Sequence, residues 1–97
     1  MSFEQLKLHD ATLKAIEIIW ESKVVILTGK IFDKDSSKFK LEFHGVSYSE
    51  IPHTESWGPS VSIHEQSSPE DGEYRVLMQT GDTIIIKANS YQYETTI

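Results

Sequence analysis

The chain has 97 residues, a formal net charge of −6 and no cysteine, and 38% of its residues are hydrophobic. This length allows one hydrophobic core, so we expect a single domain over residues 1–97. Without cysteine, disulfides, thiolate catalysis and cysteine-ligated zinc are excluded. Met1–Lys7 lacks the basic and apolar parts of a signal peptide, and nowhere do about 18 apolar residues follow one another. We therefore expect a cytoplasmic protein that does not bind a membrane.

Acidic residues are concentrated in the middle of the chain. Residues 41–74 contain seven carboxylates and no Lys or Arg, whereas residues 1–40 sum to +1 and residues 75–97 to zero. Such a surface repels nucleic acid and favours a basic protein, a cationic ligand or a metal ion. The alternative is that these carboxylates only line solvated loops.

The first third of the chain predicts a short helix followed by a β-hairpin. Ser2-Phe3-Glu4-Gln5 matches a capping box, which favours one helix reaching Lys7. From Thr12 the hydrophobic period is two, and a turn at Glu21-Ser22 joins two strands, 12–20 and 23–32. This turn pairs Ile18 with Val25 and Ile16 with Leu27, and it places those four side chains and Trp20 on one buried face.

The middle of the chain predicts three further strands. Residues 38–44 alternate most clearly, and Phe39, Leu41 and Phe43 face inward. Gly45 marks a bend before a weaker strand over residues 46–51. A short strand follows over residues 60–65, and the composition of residues 67–72 is typical of a turn or loop.

The last part of the chain predicts a second hairpin, with strands 74–80 and 83–88 joined by a tight turn at Gly81-Asp82. This turn pairs Leu77 with Ile86 and Met78 with Ile85. Both faces are then apolar, so the hairpin either runs through the middle of a sandwich or offers one face to a second subunit, which would give a homodimer through residues 74–88. Residues 91–97 either extend this strand or fray.

Seven short strands at this spacing predict a mainly β protein, an antiparallel sandwich or rolled sheet with one short N-terminal helix. The predicted core consists of the inward positions of these strands: Ile16, Ile18, Val25, Leu27, Phe39, Leu41, Phe43, Leu77 and Ile86.

Catalytic and metal-binding patterns are weak in this sequence. Neighbouring residues on a strand face opposite sides, so neither His9-Asp10 nor His64-Glu65 is expected to chelate a metal, and His44 could meet His64 only if their strands paired. The serines lack a nucleophile motif, no glycine-rich phosphate loop occurs, and any catalytic carboxylate pair would be an arbitrary choice. We therefore predict no catalytic residues, no metal ligands and no cofactor, and thus no enzyme.

Trp57-Gly58-Pro59 lies in a segment without hydrophobic period, residues 52–59, which we interpret as a loop. A tryptophan there presents a large apolar surface with one hydrogen-bond donor. It is either an anchor for a partner or a lid folded back over the open end of the sheet. The residue pattern leaves both interpretations open.

Several segments together resemble one family of small bacterial proteins. These segments are Leu8-His9-Asp10-Ala11-Thr12-Leu13, Phe43-His44-Gly45-Val46, Ile51-Pro52, Trp57-Gly58-Pro59-Ser60 and Met78-Gln79-Thr80-Gly81-Asp82. In order and spacing they resemble the immunity protein 50 family of polymorphic toxin systems. The resemblance implies a cytoplasmic protein that neutralises a cognate toxin by binding it, and it brings no catalytic residues with it.

The charge pattern and the resemblance together predict a non-catalytic binding protein with an acidic surface that covers a basic surface on a toxin. Glu50, Glu55 and Glu65 would supply the charge, and Trp57 the apolar anchor. One alternative is a homo-oligomeric β domain that assembles through residues 74–88. A small metal-dependent enzyme that uses the histidine-containing acidic loops is a further alternative.

Overall fold

The computed structural model describes residues 2–32, 37–52 and 62–96, and it confirms the mainly β class. Its eight strands form two four-stranded antiparallel sheets. A 3-10 turn over Phe3–Gln5 stands where the short N-terminal helix was predicted, and the strands are β1 Thr12–Ile19, β2 Val24–Lys30, β3 Lys38–His44, β4 Tyr48–Glu50, β5 Ile63–Glu70, β6 Glu73–Met78, β7 Thr83–Lys87 and β8 Ser90–Thr96.

The first sheet has the strand order β1-β2-β3-β8, and the second sheet has the order β4-β7-β6-β5. The chain passes between the sheets after β3 and again after β7. These two passages lie side by side, because the Asn89 N–H donates a hydrogen bond of 2.9 Å to the His44 carbonyl. Gly45 adopts a positive φ of 67° there, so the predicted bend is present and requires glycine.

The core lies between the inner faces of the two sheets and contains aromatic rings from both. Phe3, from the N-terminal turn, has its ring centroid 5.0 Å from that of Tyr74 in the second sheet and 6.1 Å from that of Phe43 in the first. Among the described residues, the largest fully buried side chains are mostly aliphatic: Leu8, Val25, Leu27, Leu41, Phe43, Ile63, Val76 and Ile86.

The first hairpin has the predicted register but a different exposure. Ile16 is opposite Leu27 and Ile18 is opposite Val25, and Val25 and Leu27 are buried. The prediction that Ile18 and Trp20 are buried is wrong, since they are 52% and 88% exposed. β1 is an edge strand that ends at Ile19, so the second sheet covers β2 more fully than the tip of β1.

The last hairpin forms, but its predicted register is wrong. β6 ends at Met78 and β7 begins at Thr83, so the connection has four residues rather than two, with Gly81 at a φ of +100°. The pairs are therefore Leu77 with Thr83 and Val76 with Ile84. This register turns Val76, Met78, Ile84 and Ile86 inward and leaves Leu77 only partly buried.

Two further differences concern the ends of the sheets. β5 continues through Ser67-Ser68-Pro69, which was predicted to be a turn, and the reversal is confined to Asp71-Gly72. Pro69 is tolerated because β5 is an edge strand. β8, predicted only to extend or fray, is a full strand that pairs with β3 along its whole length. Among the described ranges, no helix is long and apolar enough to cross a bilayer.

Candidate functional site

The outer face of the second sheet carries both of the predicted acidic site residues that the structure describes. Glu50 on β4 is directly opposite Ile85, and Glu65 on β5 is directly opposite Leu77. Residues that face each other across an antiparallel pair point to the same side of the sheet. Since Val76 and Ile84 point inward, these four residues share the solvent side. We call Tyr48, Glu50, Glu65, Leu77 and Ile85 the acidic face.

This face has carboxylates at its two edges, and its central strands carry two apolar side chains beside the exposed Arg75, which is directly opposite Ile85. Leu77 and Ile85 lie on the central strands and are partly buried, whereas Glu50 and Glu65 lie on the edge strands and are exposed. Adjacent strands are about 4.8 Å apart, so three strand intervals separate the two glutamates by about 14 Å across the sheet. Apolar side chains framed by a polar rim are the usual anatomy of a protein interface.

The cationic groups on this side of the sheet are partly neutralised. Arg75 Nη2 lies 2.6 Å from Glu73 Oε2, and Arg75 Nε donates to the same oxygen at 2.7 Å. The Lys87 ammonium lies 5.8 Å from the ring centroid of Tyr48, in the row of the sheet farthest from Glu65. Glu50 and Glu65 form no ion pair within the described residues, and neither does Lys87, so the two carboxylates outweigh the single ammonium group and this side of the sheet is net negative.

Tyr48 holds Glu50 in place at the edge of the face. The Tyr48 hydroxyl donates a hydrogen bond of 3.1 Å to Glu50 Oε1, and 48% of Tyr48 is exposed. This hydrogen bond, together with the negative charge of Glu50, raises the pKa of Tyr48 above its ordinary value. The phenol therefore stays protonated and adds an exposed aromatic surface beside the carboxylate.

The other two predicted site residues, Glu55 and Trp57, lie outside the described residues, as does His53. The binding roles of Glu50, Glu55, Trp57 and Glu65 all remain predictions. Sequence reasoning missed Leu77 and Ile85 as members of one outward face, because the predicted register put them on opposite sides of the last hairpin. A four-residue connection in place of the two-residue turn would have grouped them correctly.

A groove runs beside this face, between the edge strands β5 and β8, and has a volume of about 970 Å³. Leu6, Ile31 and Tyr93 contribute apolar surface to it, and Phe32, 78% exposed, lies at its rim. Glu65 borders the groove as well as the acidic face. A partner that contacts Glu65 would therefore have an apolar depression within reach.

The side chain of His9 links two separate elements of the fold. His9 and Asp10 lie in a turn before β1 rather than in a strand, and His9 Nε2 is 3.5 Å from Asp10 Oδ2. His9 Nδ1 is 2.6 Å from the His64 carbonyl oxygen. These contacts tie the turn before β1 to the start of β5. Within residues 2–32, 37–52 and 62–96, no three His, Asp or Glu side chains gather in a way that could hold a metal ion.

Comparison with protein-family models, with curated proteins and with solved structures finds no match for this chain. The fold and the face together define an all-β sandwich with an amphipathic, acidic outer sheet.

Proposed function

We propose that this chain is a non-catalytic binding protein of the immunity type, which neutralises a basic toxin in the bacterial cytoplasm through its acidic face. The proposal is carried by one observation: Glu50 and Glu65 lie at opposite edges of the same sheet face, with the partly exposed Leu77 and Ile85 between them. The resemblance to the immunity protein 50 family adds the class of partner.

The two parts of the face would act on different steps of binding. Exposed carboxylates at a rim mainly steer a cationic partner and raise the association rate. Apolar side chains at the centre exclude water and slow dissociation. A toxin that acts on nucleic acid needs a cationic groove for phosphate, and an acidic face is complementary in charge to such a groove.

The test uses co-expression of the chain with the product of the adjacent gene and measures the complex between them. Glu50→Lys with Glu65→Lys should slow association and weaken its salt dependence, and Leu77→Ser with Ile85→Ser should speed dissociation. The matched control is Glu21→Lys with Glu94→Lys, because both residues are exposed, Glu21 in the turn between β1 and β2 and Glu94 on β8, and the change in charge is the same.

Binding kinetics and protection of cells from the toxin are the two measurements, with circular dichroism to confirm that each variant is folded. Glu55→Lys and Trp57→Ala, tested in the same way, examine the two predicted site residues outside the described ranges. Folded face variants that bind and protect as well as the parent would refute the acidic face as the binding site.

The second candidate function is a homo-oligomeric domain that assembles through residues 74–88. β6 and β7 are the central strands of their sheet, so this contact would use their outer face rather than a strand edge. The partly exposed Leu77 and Ile85 favour it. If Ile85→Lys remains folded and elutes in the same volume as the parent, that contact does not exist.

A further inference from the structure

We propose that the outer face of the first sheet binds a small anion with terminal phosphate groups, at five residues near one end of that sheet. We call Lys14, Thr28, Lys30, Lys38 and Lys40 the basic cluster. This proposal is independent of the proposed function, because it uses the other sheet and a ligand whose charge is opposite to that of a basic toxin.

Strand pairing places the basic cluster on the solvent side of the first sheet. Leu41 is fully buried, so the neighbouring Lys40 points outward, and Lys38, two residues before it, does the same. Lys30 is directly opposite Lys38, and Thr28 is directly opposite Lys40. Residues that face each other across an antiparallel pair point to the same side of the sheet, so these four residues share the outer face.

The basic cluster surrounds a shallow depression of about 570 Å³. Lys14, the extra residue of the β-bulge between Leu13 and Ala15, reaches it from β1. The lining contains four lysines and one carboxylate, Glu94, so its formal charge is +3. The whole chain has nine Lys and Arg residues and a net charge of −6. Four of the nine cationic residues of an acidic protein therefore gather around one depression.

Lys30 and Lys38 form a cross-strand pair of like charge at the centre of this cluster. Directly opposite residues have Cβ atoms about 5 Å apart, and like charges in such a pair destabilise a sheet. Lys40 differs, because its ammonium group lies 3.4 Å from Glu42 Oε2 and 3.9 Å from Glu94 Oε1. An anion bound between Lys30 and Lys38 offsets their repulsion, so its binding also stabilises the fold.

The donors of the basic cluster match a phosphate group. The Thr28 hydroxyl lies about 7 Å along β2 from Lys30 and diagonally across from Lys38, so two ammonium groups and one hydroxyl surround the same space. A phosphate monoester carries a charge of about −1.5 to −2 at neutral pH and has three acceptor oxygens. Lysine binds phosphate as a point charge, whereas a planar carboxylate pairs best with the fork of arginine, and the lining contains no arginine.

Carboxylates beside the basic cluster limit the size of the ligand. Glu42 follows Lys40 by two residues on β3, and Glu94 is directly opposite Lys40 on β8. A nucleic acid strand needs a longer run of cations, because it places several phosphates along the protein surface. Here the cations occupy only two rows of the sheet, so the basic cluster fits one compact anion.

The test is isothermal titration calorimetry of the full chain with sodium tripolyphosphate at low salt. The parent is expected to bind one tripolyphosphate per chain. Lys30→Gln with Lys38→Gln should lower the affinity by at least about tenfold, because two charge-assisted hydrogen bonds are lost. Thr28→Val keeps the shape of the side chain and should cause a smaller loss. The matched control, Lys7→Gln with Lys23→Gln, changes the charge equally at exposed positions and should bind like the parent.

Thermal unfolding gives a second readout of the same site. Tripolyphosphate should raise the melting temperature of the parent, because it binds only the folded state. Lys38→Glu replaces the like-charge pair with an opposite-charge pair across the same two strands. Without tripolyphosphate this variant should melt at a higher temperature than the parent, and it should no longer bind the anion.

Circular dichroism should show that every variant is folded. A parent that does not bind tripolyphosphate, a Lys30→Gln with Lys38→Gln protein that binds like the parent, or a control that loses as much affinity would each overturn the proposal. So would a Lys38→Glu protein that still binds or whose melting temperature is unchanged. Citrate and a single-stranded oligonucleotide are titrated in the same buffer. Equal affinity for citrate would assign the site to carboxylates, and tighter binding of the oligonucleotide would assign it to nucleic acid; either result overturns the proposal.

Discussion

Gln66 holds the N-terminal turn onto the sandwich, and its replacement should destabilise the protein. Its side chain is buried, and Nε2 donates to backbone carbonyls of the turn, with distances of 3.3 Å to Phe3, 3.1 Å to Glu4 and 2.5 Å to Leu6. The N-terminal turn also places the ring of Phe3 against Tyr74. Gln66→Met keeps the length of the side chain but removes the donor group.

The expected loss follows from these contacts. A buried acceptor that loses its donor costs about 1–3 kcal/mol, so Gln66→Met should lose about that much if the turn stays docked. Phe3 and Leu6 are only 3% and 6% exposed in the folded protein, and both become exposed to water if the turn detaches. Each such side chain contributes about 1.5–3 kcal/mol, which raises the loss to about 3–6 kcal/mol. A domain has only about 5–15 kcal/mol of stability in total.

Gln66→Glu separates the contribution of the hydrogen bonds to stability from the contribution of side-chain packing. The carboxylate has nearly the shape of the amide but repels the three carbonyls, and burial raises the pKa of the new carboxyl. The folded state then binds its proton more tightly than the unfolded state, so stability falls as pH rises above the unfolded pKa of about 4.3. Below that pH the carboxyl is protonated in both states, and most of the difference from the parent should disappear.

Urea unfolding of the parent, Gln66→Met and Gln66→Glu, at neutral pH and near pH 4, measures these differences. Gln92→Glu is the matched control, because Gln92 is exposed on β8 and the change should have little effect. A Gln66→Glu protein as stable as the parent at neutral pH would refute the reasoning, since the amide would then not hold the turn.

Phe43→Ala, at a fully buried position, should cost about 3–5 kcal/mol, and an unchanged melting temperature would show that Phe43 does not face the core. Glu50→Gln should lower the pKa of Tyr48 toward its ordinary 10.0 in an ultraviolet titration; no change would mean that the hydrogen bond is absent. The hydrogen bond from Tyr48 to Glu50 stabilises the fold at a pH below the pKa of Tyr48, and this contribution is lost as the pH rises and the phenol ionises. Zinc should leave the melting temperature unchanged; a rise that disappears in His9→Ala with His64→Ala would disprove this.

Local patterns predicted the parts of the fold that depend on neighbouring residues in the sequence. The first hairpin and β3 alternate clearly, and their register follows from the burial of Val25, Leu27 and Leu41. The exposure of Ile18 was not predictable in this way, because it depends on how far the second sheet extends over β1. Likewise β8 became a strand because β3 has a free edge, which no local pattern of Ser90–Thr96 reveals.

The candidate site was predicted only in part, for a related reason. The absence of Lys and Arg between residues 41 and 74 pointed to Glu50 and Glu65, and the structure places both on one face. That Leu77 and Ile85 lie between them depends on the length of one turn. A connection of two residues and one of four residues near Gly81 are both long enough to join β6 to β7. Only the packing of Val76 and Ile84 in the core selects the longer connection.

The pairing of β8 with β3 has a consequence for how this chain folds. β1, β2 and β3 form a local meander, but the second neighbour of β3 comes after all four strands of the second sheet. Closing such a long loop costs entropy before its contacts form, so all-β chains of this kind fold in milliseconds to seconds. Until β8 has been synthesised and docked, the edge of β3 beside Phe43 stays open. During synthesis, therefore, the three-stranded meander has an unpaired strand edge until the last strand docks, and such an edge is prone to pair with another chain.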